Sequence, residues 1–404
     1  MFDCYKEIRN MNEKLTGKLK KNIVLDYFNA FITNLNMQSS IWVLYLAYCG
    51  MNLAQIGLLE GIYHVTSMIF EIPSGAIADL LGRKKSIVVS KICIAVSCLI
   101  MLYSRNFWLF ALSFFIQALG NNFNSGSEEA LIYDSMKAVG EEDRYIGVNG
   151  RLNVIIEVAQ GIATVAGGVL AEYSFFWCYA ASLIIAVLAF VPVTFMTEAP
   201  FEKHNDEKKS VWRKFKDHFA TSFGILKNDN RILWLVVFFS AVFAAQTLLF
   251  FYSQQYFSDL GYNKIYISIF MLLFSLFSCL GAYLSDRVFE RFGTKIAVIA
   301  SFVIAFAVIC FVFNNVFVSV AMLSVAGFCN SLLYPIQSAL LNKLIPSEQR
   351  ATLISVNSMF FSISMIILFP VAGVLADAVG LPLVLMGVGI LMGLFVLIFR
   401  KRLS

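Results

Sequence analysis

Ionisable side chains interrupt several long apolar segments of this sequence. A charge in such a segment is costly unless it is paired or reached by water, so these residues are functional candidates. A carboxyl group held away from water can bind a proton in one state and release it in another. The segments of the first half carry these residues: Asp26, Glu60, His64, Glu71, Glu128, Glu129, Asp134, Arg151 and Glu157.

Seven of these residues are candidates for proton coupling. They are Glu157, Glu71, Glu128, Glu129, Asp26, Glu60 and His64. Glu60, His64 and Glu71 lie within about 40° of one another on a helix that turns by about 100° per residue. We rank Glu157 and Glu71 first, because both lie deep in their segments. The alternative is structural, with a carboxylate that pairs with Arg151 or caps a broken helix.

Polar side chains in the same segments are candidates for lining a substrate cavity. They are Asn29, Thr33, Asn36, Gln117, Asn121 and Arg151 in the first half, and Gln246, Gln254, Asn330, Tyr334 and Gln337 in the second. The chain is also rich in Phe, with 39, and in Met, with 14. A largely apolar cavity with few carboxylates suits amphipathic, often cationic compounds better than sugars, which require dense hydrogen bonding.

The elements that position these residues are long apolar helices. Of 404 residues, 59% are hydrophobic, and apolar runs of about 20 residues, the length needed to cross a bilayer, recur along the chain. We predict an all-α membrane protein with twelve spans. The spans, numbered 1 to 12, are 23–48, 55–79, 86–104, 107–136, 145–171, 174–196, 231–257, 265–285, 295–313, 316–342, 350–376 and 381–400.

The distribution of cations predicts the orientation of the spans. Residues 1–22 carry six Lys or Arg, whereas the loops on the opposite side carry only Arg105 and Lys264. Cytoplasmic loops are enriched in Lys and Arg. We therefore expect both termini in the cytoplasm, in a multi-pass protein of a bacterial plasma (inner) membrane.

A short pattern recurs at the end of four spans: a small residue, two spacers, Ala or Ser, and an acid. The copies are Gly75 to Asp79, Gly168 to Glu172, Ala282 to Asp286, and Gly373 to Asp377. The pattern predicts four repeats of about three helices, inverted within each half. The predicted parts are an N-terminal tail (1–22), a six-helix bundle (23–196), a linker with an amphipathic helix (197–230), a second six-helix bundle (231–400) and a C-terminal tail (401–404).

The loop between spans 2 and 3 contains Gly75, Asp79, Gly82, Arg83 and Lys84. With the twelve spans and the central linker, this motif resembles the major facilitator superfamily over the whole chain. The resemblance implies a transporter with a conformational latch formed by these residues. Asp286 and Arg287 belong to a second copy of the loop and would complete the latch. In it, Gly75 would let a neighbouring helix approach, and Asp79 would accept from a facing helix N-terminus or pair with Arg83.

Span 5 partly resembles a signature of drug:proton antiporters. Gly150, Ala159, Ala163 and the pair Gly167-Gly168 fall at the signature's spacing, although its Gly-Pro element is missing. The resemblance favours export over uptake. We therefore expect proton-coupled efflux of amphipathic or cationic drug-like molecules by alternating access.

Two alternatives remain open: a proton-coupled uptake symporter for a small nutrient, and a non-transporting membrane sensor. Sodium is the alternative coupling ion. The sequence offers no nucleotide-binding loop, nucleophile–base pair or metal constellation, so we expect no enzyme activity, cofactor or metal. The expected partners are a small-molecule substrate, protons and the lipid bilayer, with no nucleic acid, and we expect a monomer.

Overall fold

The computed structural model of the chain describes residues 2–199, 230–344 and 350–403. Most of the predicted linker, with its amphipathic helix, lies outside these ranges. The α-helices are α1 (Phe2–Asn34), α2 (Trp42–Tyr48), α3 (Leu53–Leu81), α4 (Arg83–Tyr103), α5 (Phe107–Asn124), α6 (Ser127–Ala138), α7 (Tyr145–Tyr173), α8 (Phe175–Leu188), α9 (Phe190–Phe195), α10 (Asn230–Asp259), α11 (Lys264–Phe292), α12 (Lys295–Ile309), α13 (Val316–Leu344), α14 (Arg350–Val379) and α15 (Leu381–Leu403).

The all-α fold class is confirmed, since the described residues form helices and the short segments that join them. Each of the twelve predicted spans coincides with one helix or with two helices in succession. Ten helical stretches in the described ranges are long and apolar enough to cross a membrane. Spans 1 and 4, each of which is divided into two helices, are not among these ten.

Span 1, predicted at 23–48, is divided in the structure, since α1 ends at Asn34 and α2 starts at Trp42. The Asn34 side chain donates to the carbonyl of Ala30 at 2.8 Å, an alternative to continued helix hydrogen bonding. After the break, the side-chain oxygen of Gln254 accepts from the backbone N–H of Val43 at 3.3 Å. A buried glutamine therefore holds the start of α2.

Span 4 is also divided, between α5 and α6. Gly126 adopts a positive φ of 73°, a conformation that glycine enters without steric penalty. The hydroxyl of Ser127 donates to that of Ser86 on α4 at 3.1 Å, and Ser86 donates to the carbonyl of Phe123 at 2.8 Å. Because α4 bonds to both sides of the break, the bend is a supported part of the fold.

The described helices form two compact units. Unit 1 contains α1, α4, α5, α6, α8 and α9, with the part of α3 from Ile69 onwards and the part of α7 up to Ala166. In it, α4 packs on α5, while α6 and α9 each pack on α1 and α4. Asn22 of α1 donates to the carbonyl of Thr197 at 2.7 Å and accepts from its N–H at 2.9 Å, which joins α1 to the segment after α9.

The polar part of α1 in unit 1 is tied to the loop after α6. Lys20 Nζ donates to Glu141 Oε1 at 2.6 Å, and Arg144 donates to Glu141 Oε2 at 2.7 Å. The hydrogen bond from Lys20 is the largest cause that holds the pKa of Glu141 below its ordinary value. Ion pairs as exposed as this one contribute little to stability.

Unit 2 contains α2, α10 and the helices that follow, with the part of α3 up to Met68 and the part of α7 from Gly167. Its central helix is α10, which packs on α2, α13, α14 and α15. Large side chains on several faces of α10 are fully buried, among them Phe238, Phe239, Tyr252 and Phe257. The core of unit 2 therefore surrounds this helix.

A close helix contact in unit 2 depends on Gly281. A Cβ at this position would overlap the carbonyl group of Phe328 on α13. We expect Gly281→Ala to destabilise the protein by about 1–3 kcal/mol, the usual cost of overpacking. Thermal unfolding in detergent, followed by intrinsic fluorescence, measures the change.

The matched control for this prediction is Gly387→Ala on α15, where an added Cβ meets nothing within 4 Å in the described part of the chain. Because alanine favours helix by up to about 1 kcal/mol over glycine, Gly387→Ala should be neutral or stabilising. Equal unfolding temperatures for the two variants would contradict the close contact at Gly281.

Candidate functional site

A cavity of about 370 Å³ lies within unit 1. It is lined by residues of α1, α6 and α7 and of the break between α5 and α6. Its polar lining includes Asp26, Thr33, Asn34, Asn124, Ser125, Glu128, Glu129, Tyr145, Asn149 and Asn153. We call this space the acidic cavity, because Asp26, Glu128 and Glu129 are its carboxylates. The structure thus brings together three of the seven predicted proton-coupling residues.

The break in span 4 explains why two acids lie side by side at the cavity. Glu128 and Glu129 occupy the first turn of α6, which begins just after Gly126. A helix N-terminus carries a partial positive charge and unpaired N–H groups, and both stabilise a carboxylate. A continuous helix would have left these two acids in mid-helix without this stabilisation.

Glu128 is held by amide groups from two directions. Asn29 of α1 donates from Nδ2 to one carboxylate oxygen of Glu128. Asn124, at the end of α5, donates from Nδ2 to the other oxygen at 2.6 Å. Asn29 is therefore a supporting residue of the cavity, behind the carboxylate that it orients.

Asp26 is the most deeply buried acid at the cavity, with 1% of its surface exposed. Its carboxyl group lines the same cavity as that of Glu128, and Asn29, one turn later on α1, donates to Glu128. Two carboxyl groups can share a hydrogen bond only if one of them carries a proton. The other oxygen of Asp26, Oδ1, receives no hydrogen bond from the described residues. The pair can therefore bind a proton, and it keeps one acceptor for a further donor.

Lys91 of α4 lies behind the two acids and is buried, with 3% of its surface exposed. Its Nζ donates to the hydroxyl of Thr33 at 2.8 Å, and its charge interacts with those of Glu128 and Asp26. Thr33 in turn donates to Asn29 Oδ1 at 3.4 Å. Lys91 was not predicted as a site residue, because it follows the cations at the start of span 3, where a cation fits a topology anchor.

The other predicted proton-coupling residues lie elsewhere. Glu60 and His64 are buried in unit 2, where Glu60 Oε1 is 3.5 Å from His64 Nε2. The second ring nitrogen of His64 lies 3.3 Å from the hydroxyl of Ser362 on α14. Glu71, which is half-buried, and Glu157, which is exposed, do not line the acidic cavity.

The remaining predicted cavity residues of the first half are Asn36, Gln117, Asn121 and Arg151. None of them lines the acidic cavity, and Arg151 is exposed on α7. In contrast, Thr33 lines it directly.

In unit 2, the predicted cavity residues divide into two kinds. Gln254 is fully buried and binds α2, and Gln337 donates to Asn357 at 2.7 Å, so both serve the packing of unit 2. Gln246 Nε2 and Asn330 Oδ1 are buried without a hydrogen-bond partner among the described residues, and Tyr334 is exposed. These three have polar groups left for a solute or water.

The turn of the predicted latch is bound within unit 1 by a residue that the sequence analysis missed. Gly82 has a φ of 98°, and Glu198, after α9, accepts from the backbone N–H groups of Arg83 at 2.7 Å and Lys84 at 2.9 Å. Lys84 Nζ donates back to the carbonyls of Thr194 and Met196. Glu198 therefore caps the N-terminus of α4. Sequence spacing gave no signal for this contact, because 114 residues separate Lys84 from Glu198.

The other latch residues are placed as follows. The prediction that Gly75 permits a close helix approach is wrong for this structure, because a Cβ there would meet no described atom within 4 Å. The side chain of Asp79 lies outside the described part of the chain. Asp286 and Arg287 are exposed at the end of α11, and Arg287 lies over the ring of Tyr283 at 5.6 Å.

The other two copies of the repeated pattern make the helix contacts that we expected of Asp79. Asp377 of α14 accepts from the N–H groups of Leu53 at 3.0 Å and Ala54 at 2.9 Å, the first two residues of α3. Glu172 of α7 accepts from the N–H of Lys264, the first residue of α11, at 2.9 Å. Each acid satisfies N–H groups that a helix leaves unpaired at its start. We call these two contacts the acid caps.

The small residue of the pattern has a matching role at each acid cap. A Cβ at Gly373 would overlap the carbonyl of Leu53, and a Cβ at Gly168 would lie 2.8 Å from the carbonyl of Lys264. Glycine one turn before the acid therefore lets the start of the facing helix approach closely enough to be capped.

The sequence profile of the Major Facilitator Superfamily matches residues 24–289 and 256–403. The chain belongs to this superfamily. It is therefore a multi-pass membrane transporter, and the resemblance of its loop motif and spans is confirmed.

Relatives of this superfamily member match most of its length. The MFS-type transporter YxaM of Bacillus subtilis is 26% identical over 352 residues, which cover 85% of this chain and 86% of YxaM. The quinolone resistance protein NorA of Staphylococcus aureus is 24% identical over 394 residues, 95% of this chain and 97% of NorA.

Solved structures share the fold of this superfamily member. A point mutant of the nucleoside transporter NupG has a TM-score of 0.78 at 15% identity, over 94% of this chain and 99% of NupG. A bacterial homologue of the human lysosomal transporter Spinster has a TM-score of 0.75 at 13% identity, over 96% of this chain and 97% of the homologue. At these identities the likeness concerns the fold.

The Glu198 contact predicts a local change in this transporter. In Glu198→Ala, the N–H groups of Arg83 and Lys84 lose their acceptor, at a cost of about 0.5–2 kcal/mol for a lost helix cap. Hydrogen–deuterium exchange of the peptide around residues 82–86 should become about 2- to 30-fold faster. Glu142→Ala, which removes an exposed carboxylate from a loop, should leave this peptide unchanged. Unchanged exchange in Glu198→Ala would contradict the cap.

The acid caps predict a change at the start of α3. Asp377→Asn weakens two charge-assisted bonds, so amide exchange at Leu53 and Ala54 should rise by about 2- to 30-fold, the equivalent of a lost cap. Asp259→Asn, which changes an exposed carboxylate at the end of α10, is the matched control. The cap would be refuted if both variants exchanged at the wild-type rate in this segment.

Proposed function

We propose that this transporter exports cationic, amphipathic small molecules in exchange for protons. The observation that carries the proposal is the Asp26–Glu128 carboxyl pair at the wall of the acidic cavity. Both residues line the same cavity, and Asp26 Oδ1 is buried without a partner among the described residues. A proton and a cationic group are the two species that such a pair binds best.

Competition at this pair couples the two movements. With a proton, the pair is self-satisfied by its internal hydrogen bond. When a substrate cation approaches, its charge favours the ionised pair, and the proton leaves to solvent. Loss of the cation on the other side of the membrane reverses the exchange. Each unit charge that crosses is driven by about 2.3 kcal/mol per 100 mV.

The acid caps supply the conformational part of this proposal. In the proposed alternating-access cycle, Asp377 and Glu172 hold the starts of α3 and α11 in one state and release them in the other. Asp79 and Asp286 carry the same pattern at the opposite ends of their helices. We propose that these two acids cap helix starts in the second state.

Two further observations support export of this substrate class. NorA, which matches 95% of this chain, is named for quinolone resistance. The polar groups left for a solute in unit 2 are uncharged: Gln246, Asn330 and Tyr334. Uncharged polar groups of this kind do not require a second charge on the substrate. Cytoplasmic termini, a plasma-membrane location and a monomeric state belong to the same proposal.

Proton movement in liposomes tests the proposal. Purified protein is reconstituted with a pH-sensitive dye inside, a proton gradient is imposed, and tetraphenylphosphonium is added. We expect cation-dependent proton movement from the wild type, with a loss of about 100-fold or more in Asp26→Asn and in Glu128→Gln, the range typical of groups that transfer protons. Both variants are nearly isosteric with the wild type, so we expect them to fold and to insert into the liposomes.

The control variant is Glu290→Gln, which neutralises an exposed carboxylate of α11 and should behave like the wild type. Glu157→Gln and Glu71→Gln test the residues ranked first from the sequence. If only these two abolish proton movement, the coupling site is theirs and the assignment to the acidic cavity is wrong. If protons move only together with entering nucleosides, sugars or amino acids, the uptake alternative replaces export.

A further inference from the structure

Lys91 is a buried cation for which the proposed exchange has so far no role. It lies behind the acidic cavity and is absent from its lining, while Asp26 and Glu128 line the cavity and interact with it. A buried ammonium is costly unless it compensates a negative charge. Its hydrogen bond to Thr33 does not supply that charge, so the two carboxyl groups must do so.

The net charge of the buried cluster formed by Asp26, Glu128 and Lys91 decides what the cavity can bind. If Asp26 and Glu128 are both ionised, the cluster with Lys91 carries one net negative charge. One shared proton or one bound monovalent cation makes it neutral. Without Lys91, the same two carboxylates would need two protons or two positive charges. Glu129 also lines the cavity, but it is exposed, so water compensates its charge and it is not counted with the buried groups, and Tyr145 is an uncharged phenol.

We propose that Lys91 is a specificity-determining residue that makes the acidic cavity accept a monovalent cation in exchange for a single proton. This inference rests on the proposed function and names the charge class of its substrate. A net charge in a buried site is energetically costly. Since one added positive charge makes the cluster neutral, a substrate with one positive charge is favoured over a substrate with two.

Two ligands with the same decyl chain test the inference: decyltrimethylammonium, whose head carries one positive charge, and a decyl-pentamethyl-ethylenediammonium dication, whose head carries two positive charges two carbons apart. Calorimetric titration of purified protein in two buffers of different ionisation enthalpy gives both the affinity and the number of protons released. For the wild type we expect about one proton released per decyltrimethylammonium, and an affinity for the dication about tenfold lower. In Lys91→Met, we expect the preference to reverse and about two protons to be released per dication.

Two further variants keep the result interpretable. Lys91→Arg retains the charge and should restore the wild-type preference and proton count, which a purely steric role of Lys91 would not predict. Lys85→Met removes an exposed cation from the same helix and should change neither quantity. If Lys91→Met does not fold, the wild-type proton count still decides, since a count of zero or two overturns the inference.

The outcomes separate this inference from the proposed function. If decyltrimethylammonium does not bind, or binds equally well to Glu128→Gln, the proposed function fails and the inference fails with it. If binding depends on Glu128 but Lys91→Met keeps the wild-type preference and proton count, the inference alone is overturned. A reversed preference that Lys91→Arg restores supports both.

Discussion

A carboxylate that is removed from water must be given a proton, a cation or hydrogen-bond donors, and the polar regions of this chain follow from that requirement. Asp26 and Glu128 meet it with each other, with Lys91 and with the amides of Asn29 and Asn124. The apolar helices around them can only frame this cluster, because apolar side chains offer none of these partners.

The same requirement applies in reverse to helix starts, which present N–H groups without acceptors. Asp377, Glu172 and Glu198 each place a carboxylate on such N–H groups. A carboxylate and a helix start therefore satisfy each other's unpaired hydrogen-bonding groups. In this chain the two come from segments that are far apart in sequence. A contact of this kind can be broken and remade without loss of either helix. This property is what a transporter needs at a contact that opens and closes.

Much of the fold could be predicted from the sequence, because a segment in lipid must satisfy its backbone internally and only a helix does so within one segment. The apolar runs therefore predicted spans that each coincide with one helix or with two helices in succession. The breaks were missed, because hydropathy averages over the few residues that form them. The polar run that ends at Gly126 was visible, but only a glycine with positive φ, supported from Ser86, turns such a run into a helix start.

The site was less predictable than the fold, because its partners come from different helices. Asp26 and Glu128 were both candidates, yet no spacing connects two residues that are about a hundred positions apart. Lys91 was not selected from the sequence, because its position in the chain does not show which residues it faces. The repeated pattern was easier to recognise in the sequence, because Gly373 and Asp377 lie on one helix. Residues four positions apart on a helix lie on the same face.

In the proposed exchange, the charge of the buried cluster is the same with a proton as with a monovalent substrate. The protein could then enclose either occupant at a similar electrostatic cost, whereas the empty, ionised pair would leave one uncompensated buried charge. The closed state with an empty, ionised pair is thereby disfavoured. The transporter would then change conformation only with a proton or a substrate bound, which prevents unproductive cycles. Without Lys91, neither one proton nor one monovalent cation would neutralise the pair. Coupling in this chain would thus depend on a residue that touches neither the substrate nor the proton.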